Sequence, residues 1–240
     1  MSSASPIHST PPAIPAFVDD WFSALPAVRL TEVVERRGPA ATALFSTDMT
    51  IGFCDRGNLA SPRVGALKEP VAGLARRLFA LDVRQLVLLQ DTHDPNTPEF
   101  DAWPPHGIRG TEEAETIAEL RHLPFFNAFT VIEKNALNPA IATTFDPWLD
   151  DHPDLRTAIV AGNCTDLCVY QLAMHLRMRA NAKNIAGVEV VVPVDAVDTY
   201  DLPTVTAQQS GAFAHPAEFF HRVFLYHLAL NGVRVVRTLA

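Results

Sequence analysis

The strongest constraint on this chain is an alternation along its length. Short apolar or β-branched runs at residues 42–45, 84–89, 129–132, 157–161, 188–194 and 233–236 take turns with amphipathic stretches at about 70–80, 112–120, 166–180 and 215–230. Strand, helix, strand, repeated in this way, predicts a parallel sheet with helices packed on both faces. The expected fold is α/β, a three-layer α/β/α domain over residues 17–240 with a six-stranded, mainly parallel sheet. No internal repeat breaks the pattern. In open sheets of this kind ligands bind at the carboxyl ends of the strands, so the reactive residues to weigh are those that follow a strand.

Composition narrows the partners. With 240 residues, 48% of them hydrophobic and 19% charged, such a domain buries roughly three-quarters of its unfolded surface without help from disulfides. The formal net charge is -8 and no Lys/Arg run occurs, which argues against nucleic acid and for a small neutral or cationic ligand. Three cysteines make no disulfide framework and suit a reduced, cytoplasmic protein. No segment has the ~18 uninterrupted apolar residues of a membrane span. Residues 1–16 are rich in Pro and Ser, lack the signal-peptide pattern, and are expected to form a disordered arm. Residues 17–37 read as one or two short helices that extend the packing and carry no chemistry.

Three strand ends hold reactive side chains. Asp48 follows the first run in Ser46-Thr47-Asp48-Met49, where it is either a functional carboxylate or a turn former and helix cap. Lys134 follows the third run in Glu133-Lys134-Asn135, where a solvated lysine is the alternative. The fourth run leads into Gly162-Asn163-Cys164-Thr165-Asp166-Leu167-Cys168, in which Gly162 permits a tight turn and Thr165 or Asp166 can cap the next helix. Cys168 then falls in the first helical turn, either as a small buried hydrophobe or as a thiolate favoured by the helix dipole and a nearby lysine. One opposite charge at ~4 Å and an effective dielectric near 20 is worth about 4 kcal/mol, roughly 3 pKa units. Even reduced by screening, that is enough to change the chemistry, since a thiol near about 8.5 is a few per cent ionised at neutral pH and one near about 6.5 is mostly ionised. The Cys164-x-x-x-Cys168 spacing is not a structural zinc site, because Cys54 brings no matching motif to complete four ligands.

A second constellation follows the second run, between Gln90 and His106, where two imidazoles and several carboxylates share one Pro-braced loop. These donors suit Zn²⁺, Fe²⁺ or Mn²⁺. In Asp91-Thr-His93 the two donors alternate and can project to one side of an extended segment. A polar surface loop with scattered histidines is the other reading.

Taken together, Asp48, Lys134 and Cys168 resemble the Asp-Lys-Cys triad of the isochorismatase-like cysteine hydrolases, and the resemblance runs from Ala41 to about Asp201. Within that group, Asp91-Thr-His93, Glu99 and Trp103-Pro-Pro-His106 are similar to the metal loop of nicotinamidases. The resemblance implies strand order 3-2-1-4-5-6 and hydrolysis of a small amide, nicotinamide first, through a thioester on Cys168. It also implies one divalent metal ion, zinc ahead of iron or manganese, held by Asp91, His93, Glu99 and His106. It further implies a cis peptide between Asn163 and Cys164, an oxyanion hole from the N–H groups of Cys164 and Cys168, aromatic walls from Phe53 and Trp103, and a homo-oligomer. Gly57-Asn-Leu-Ala-Ser61, Gly110-Thr-Glu-Glu113 and Val192-Pro-Val-Asp-Ala-Val197 look familial and are given no chemistry. Met-Thr-Ile-Gly after Asp48 and Gly107 after His106 depart from the common pattern, and residues before about 40 have no counterpart. Three rival readings stay open: the same triad acting on another amide or a carbamoyl compound, hydrolysis by the metal alone, and an inactive ligand-binding module.

Overall fold

The computed structural model describes residues 13–240. Most of the arm expected at 1–16 therefore lies outside the described residues; 13–15 lack regular structure and Ala16 already opens a helix. In chain order the elements are α1 (Ala16–Ser23), β1 (Ala27–Val28), α2 (Leu30–Glu35), β2 (Thr42–Thr47), α3 (Ile51–Cys54), α4 (Pro62–Gly65), α5 (Lys68–Ala80), β3 (Gln85–Asp91), α6 (Ala118–Arg121), β4 (Phe129–Lys134), α7 (Phe145–Asp150), β5 (Thr157–Asn163), α8 (Cys168–Ala182), β6 (Glu189–Pro193), β7 (Val197–Asp198), α9 (Thr204–Ser210), α10 (Ala217–Leu230), β8 (Arg234–Val236) and β9 (Thr238–Leu239).

The central sheet runs β4-β3-β2-β5-β6-β8, with every pair parallel. Counted among themselves, these six strands have the order 3-2-1-4-5-6. A seventh strand joins them. β6 pairs with β5 only over Thr157 to Ile159, and Pro193 ends β6 without an N–H for the ladder. The chain then turns through Val194–Ala196, and β7 covers the open end of β5 at Gly162 and Asn163. Alternate residues of the buried strands feed two cores. Leu44, Leu86, Leu88 and Ile159 pack with Val71, Leu74 and Leu78 of α5, while Phe45, Val87, Leu89 and Val160 pack with Leu172 of α8 and Leu225 of α10. This two-sided burial is why the strands read as nearly continuous apolar runs.

Four strands run two residues further than the apolar runs predict, the first of them through Ser46-Thr47. Gln90-Asp91, Glu133-Lys134 and Gly162-Asn163 continue the ladders, so Asp91 and Lys134 are strand residues and register partners. Gly162 is likewise no turn residue. Its φ is +108°, and a Cβ there would lie 2.0 Å from the Thr47 carbonyl oxygen, so β2 and β5 approach closely only because the side chain is absent.

The helix expected over 112–120 is broken. A 3-10 turn at Glu112–Ala114 gives way to extended backbone at Glu115, and a bridge between Thr50 and Thr116 pins the segment before α6 starts. The amino-terminal extension forms α1 and α2 and clamps the carboxyl end. Phe17 and Trp21 meet Tyr226 of α10 edge-on, and β1 pairs with β9. Among the described residues no helix is long and apolar enough to cross a membrane.

Candidate active site

The carboxyl ends of β2, β3, β4 and β5 bring the predicted side chains into one buried cluster. Asp48 follows β2 with φ +56°, a left-handed conformation that Asp tolerates better than most residues. Four hydrogen bonds hold it there. Its N–H donates to Leu89 O at 2.9 Å, and its carbonyl accepts from Asn163 Nδ2 at 2.6 Å. Its carboxylate accepts from Thr47 Oγ1 at 2.9 Å and from the Asp91 N–H at 2.8 Å. The peptide bond between Asn163 and Cys164 is cis.

Lys134 extends from the end of β4 into the centre of this cluster. Its Nζ lies 2.9 Å from Asp48 Oδ2, 2.5 Å from Asp91 Oδ1 and 3.5 Å from Cys168 Sγ. Cys168 opens α8, so its N–H is one of those a helix leaves unpaired. Its Sγ and the carboxylates of Asp48 and Asp91 lie within 4.8 Å of one another. The caps expected from Thr165 and Asp166 do not form. Thr165 Oγ1 bonds His221 Nδ1 at 2.9 Å, and Asp166 pairs with His215 Nε2 at 2.7 Å.

Burial and charge oppose one another here. Burial works against the Lys134 charge, but Asp48 and Asp91 outweigh it and hold the amine well above its ordinary range. Asp91 is raised by burial and lowered by Lys134, and the ammonium prevails. Asp48 is pushed up, by burial first and then by Asp91. Cys168 is also pushed well up, by burial and by Asp48, against the pull of Lys134. Of the two readings the sequence left open, a thiolate and a buried thiol, this environment favours the thiol: the pull of Lys134 meets desolvation and two carboxylates. The resting cysteine is a thiol beside a carboxylate that can take its proton.

Asp91 also borders the loop, its Oδ1 being shared between Lys134 and His93. Its carboxylate lies 3.5 Å from His93 Nε2 and 3.9 Å from His106 Nε2, and these three residues form a compact group of possible metal donors. Glu99 Oε1 stands 3.8 and 3.9 Å from the same two nitrogens. The residues fit a divalent cation on three counts. Asn135 Oδ1 accepts the Asp94 N–H, so the His93 Nδ1 at 3.1 Å from it is a donor and Nε2 is left bare. His106 Nδ1 likewise donates to Pro104 O at 2.8 Å, which leaves Nε2 free toward the same point; such outer partners orient metal-binding imidazoles. His93 Nε2 is buried with no hydrogen-bond partner. The Asp91 carboxylate acts on both neighbours: burial lowers His93 but Asp91 raises it and prevails, while Glu99 is raised by burial first and then by Asp91.

Of the two expected aromatic walls, Phe53 meets His106 edge-on at 5.6 Å, while half-buried Trp103 packs on Tyr200 at 6.1 Å. Several neighbours escaped sequence reasoning. Phe100 packs against both imidazoles, Asn135 orients His93, and Thr47 holds Asp48, as does Asn163, expected only for its cis peptide. The ion pair between Asp91 and Lys134 escaped it too, although a correct placement of both strand ends would have revealed it.

The profile of the isochorismatase domain matches residues 42–221. The chain belongs to the isochorismatase family. The match begins at β2, so the α1 to α2 extension lies outside the family domain. Among curated members, Nicotinamidase 1 of Arabidopsis thaliana is 31% identical over 212 residues, covering 82% of this chain and 86% of that protein. Among solved structures, a cysteine hydrolase from Pseudomonas syringae pv. phaseolicola 1448A aligns with a TM-score of 0.68 at 22% identity, over 83% of this chain and 89% of the other. The pyrazinamidase of Pyrococcus horikoshii, in complex with zinc, aligns with a TM-score of 0.63 at 22% identity, over 82% and 99%. These two likenesses speak for the isochorismatase fold. With its relatives, the chain is an isochorismatase-like hydrolase.

Proposed function

We propose that the protein is a metal-assisted cysteine amidohydrolase that converts nicotinamide to nicotinate and ammonia. The observation that carries this reading is the position of Asp91, whose Oδ1 lies between Lys134 Nζ at 2.5 Å and His93 Nε2 at 3.5 Å while its Oδ2 lies 3.9 Å from His106 Nε2. A site for orienting a substrate thereby adjoins a site for attacking it. The 31% identity to Nicotinamidase 1 supports the choice of amide.

Asp48 takes the proton of Cys168 as the sulfur attacks the carboxamide carbon, and the Lys134 ammonium stabilises the charge that moves between them. The tetrahedral oxyanion is received by the N–H groups of Cys164 and Cys168, donors worth about 3 to 4 kcal/mol each where such holes have been dissected. Protonated Asp48 then gives its proton to the departing nitrogen, which leaves as ammonia with a thioester on Cys168. Ionised again, Asp48 draws a proton from water as that water attacks the thioester, releasing the carboxylic acid and restoring the thiol. Asp91, His93, Glu99 and His106 would hold the cation, zinc or otherwise iron or manganese, and the bound ion would supply a Lewis-acid contact to the pyridine nitrogen. Phe53 and Trp103 would flank the ring.

The test is ammonia release from nicotinamide, with benzamide, which lacks the ring nitrogen, as comparison. Release from nicotinamide that needs both Cys168 and metal, with benzamide turned over far less well, is the expected result. Full activity in Cys168→Ala would end the covalent route. Metal-loaded protein that ignores nicotinamide but hydrolyses another small amide would move the reading elsewhere in the family.

A further inference from the structure

The segments around Gly57 and Glu113, to which the sequence assigns no chemistry, meet beside the metal loop. Glu113 lies in the 3-10 turn Glu112–Ala114, and its Oε2 accepts the N–H of Gly107, the residue after His106, at 3.2 Å. Two glycines make room for this side chain. A Cβ on Gly52 would fall 3.0 Å from Glu113 Cβ, and one on Gly57, whose φ is +140°, would fall 2.9 Å from Glu113 Cδ and Oε1. On the other side of His106, Asn58 Nδ2 donates to Pro105 O at 2.7 Å. The imidazole itself donates to Pro104 O at 2.8 Å.

The backbone is thus held on both sides of His106, and the hold on the Gly107 side comes from the carboxylate of Glu113, which is not among the proposed ligands. We propose that Glu113 is a positioning residue for His106: seated in the notch of Gly52 and Gly57, it fixes the Gly107 amide and with it the direction of His106 Nε2. The inference rests on the metal reading above. The hydrogen bond needs an acceptor rather than a charge, so a glutamine can replace Glu113 and an alanine cannot.

The experiment is Zn²⁺ affinity by competition with a chromophoric chelator, together with the visible spectrum of the Co²⁺-loaded protein, for wild type, Glu113→Ala, Glu113→Gln and Gly57→Ala. Glu113→Ala is expected to lose 10- to 100-fold in Zn²⁺ affinity, the usual range for removing an outer partner of a ligand, and to change the Co²⁺ spectrum. Glu113→Gln is expected to stay within about threefold of wild type. Gly57→Ala, which displaces the carboxylate, should weaken binding alone but add little in the Glu113→Ala background, since both act through one contact. Folded Glu113→Ala with wild-type affinity and an unchanged Co²⁺ spectrum overturns the proposal, as does a glutamine variant as weak as the alanine one. If Glu113→Ala does not fold, the glutamine variant and Gly57→Ala decide by the same criteria. Wild-type protein that binds neither ion would defeat the metal reading itself, a failure distinct from an indifferent Glu113.

Discussion

Replacing Lys134 by methionine keeps most of the side-chain volume and removes one buried charge. Nζ stands 2.9 Å from Asp48 Oδ2 and 2.5 Å from Asp91 Oδ1; at an effective dielectric near 20 each contact is worth about 6 kcal/mol before desolvation is counted. Desolvation offsets much of that in the intact pair, but removing one partner leaves the other charges buried and uncompensated, which costs about 3 to 5 kcal/mol. For a chain of this size that lowers Tm by about 6 to 20 °C. The loss depends on pH. In wild type Lys134 holds Asp91 below the usual carboxylate range, so Asp91 contributes stability above its unfolded value, and this fades as pH falls through its folded one. In the variant the two carboxylates repel each other, their folded values rise, and the penalty is felt at neutral pH and relieved as one accepts a proton. The difference between the proteins should therefore be largest near neutrality and shrink toward about pH 4. Urea unfolding of chelator-treated protein, followed by tryptophan fluorescence across that range, measures it. A difference below about 1 kcal/mol at neutral pH, or one that does not change with pH, would refute the electrostatic account.

Other outcomes follow from particular contacts. Gly162→Ala puts a Cβ 2.0 Å from a backbone oxygen in the middle of the sheet, and more than about 4 kcal/mol of stability should be lost; a soluble variant with wild-type unfolding would show that β2 and β5 separate at little cost. His215→Leu removes a ring stacked between Tyr200 and Phe220 and leaves the buried Asp166 carboxylate without its imidazole, so a loss of about 1 to 3 kcal/mol is expected, with faster proteolysis around α9 as the local readout. Chelation should lower nicotinamide hydrolysis reversibly, with Zn²⁺ restoring it, while Cys168→Ala should abolish hydrolysis yet keep the metal content of wild type. A chelated enzyme that stays fully active would remove the cation from the reaction.

Much of this protein was legible before its structure. Parallel strands buried on both faces leave continuous apolar runs, so Leu86 to Leu89 and Ala158 to Ala161 announced themselves, and Asp48, Lys134 and Cys168, candidates because such sheets place ligands at strand ends, come together in one buried cluster. The errors share one origin. Ser46-Thr47, Gln90-Asp91, Glu133-Lys134 and Gly162-Asn163 are polar or small and read as loops, although ladder hydrogen bonds keep them in the sheet. The helical pattern at 112–120 was overruled by a bridge to Thr50, a contact no local window contains.

What the sequence determined alone is therefore the layering, the strand order through its family pattern, and the roster of reactive side chains, because each of these depends on local periodicity or on a short motif. Tertiary structure alone decided how those side chains influence one another. The same lysine that would ionise an isolated cysteine is shared between two carboxylates, and the cysteine beside it stays protonated. Asp91 adjoins both Lys134 and the two histidines because parallel register sets it opposite Lys134 while the loop folds back over β3. Electrostatics sums over every neighbour in space with a weight set by burial, and neither the neighbours nor the burial is written in the order of residues along the chain.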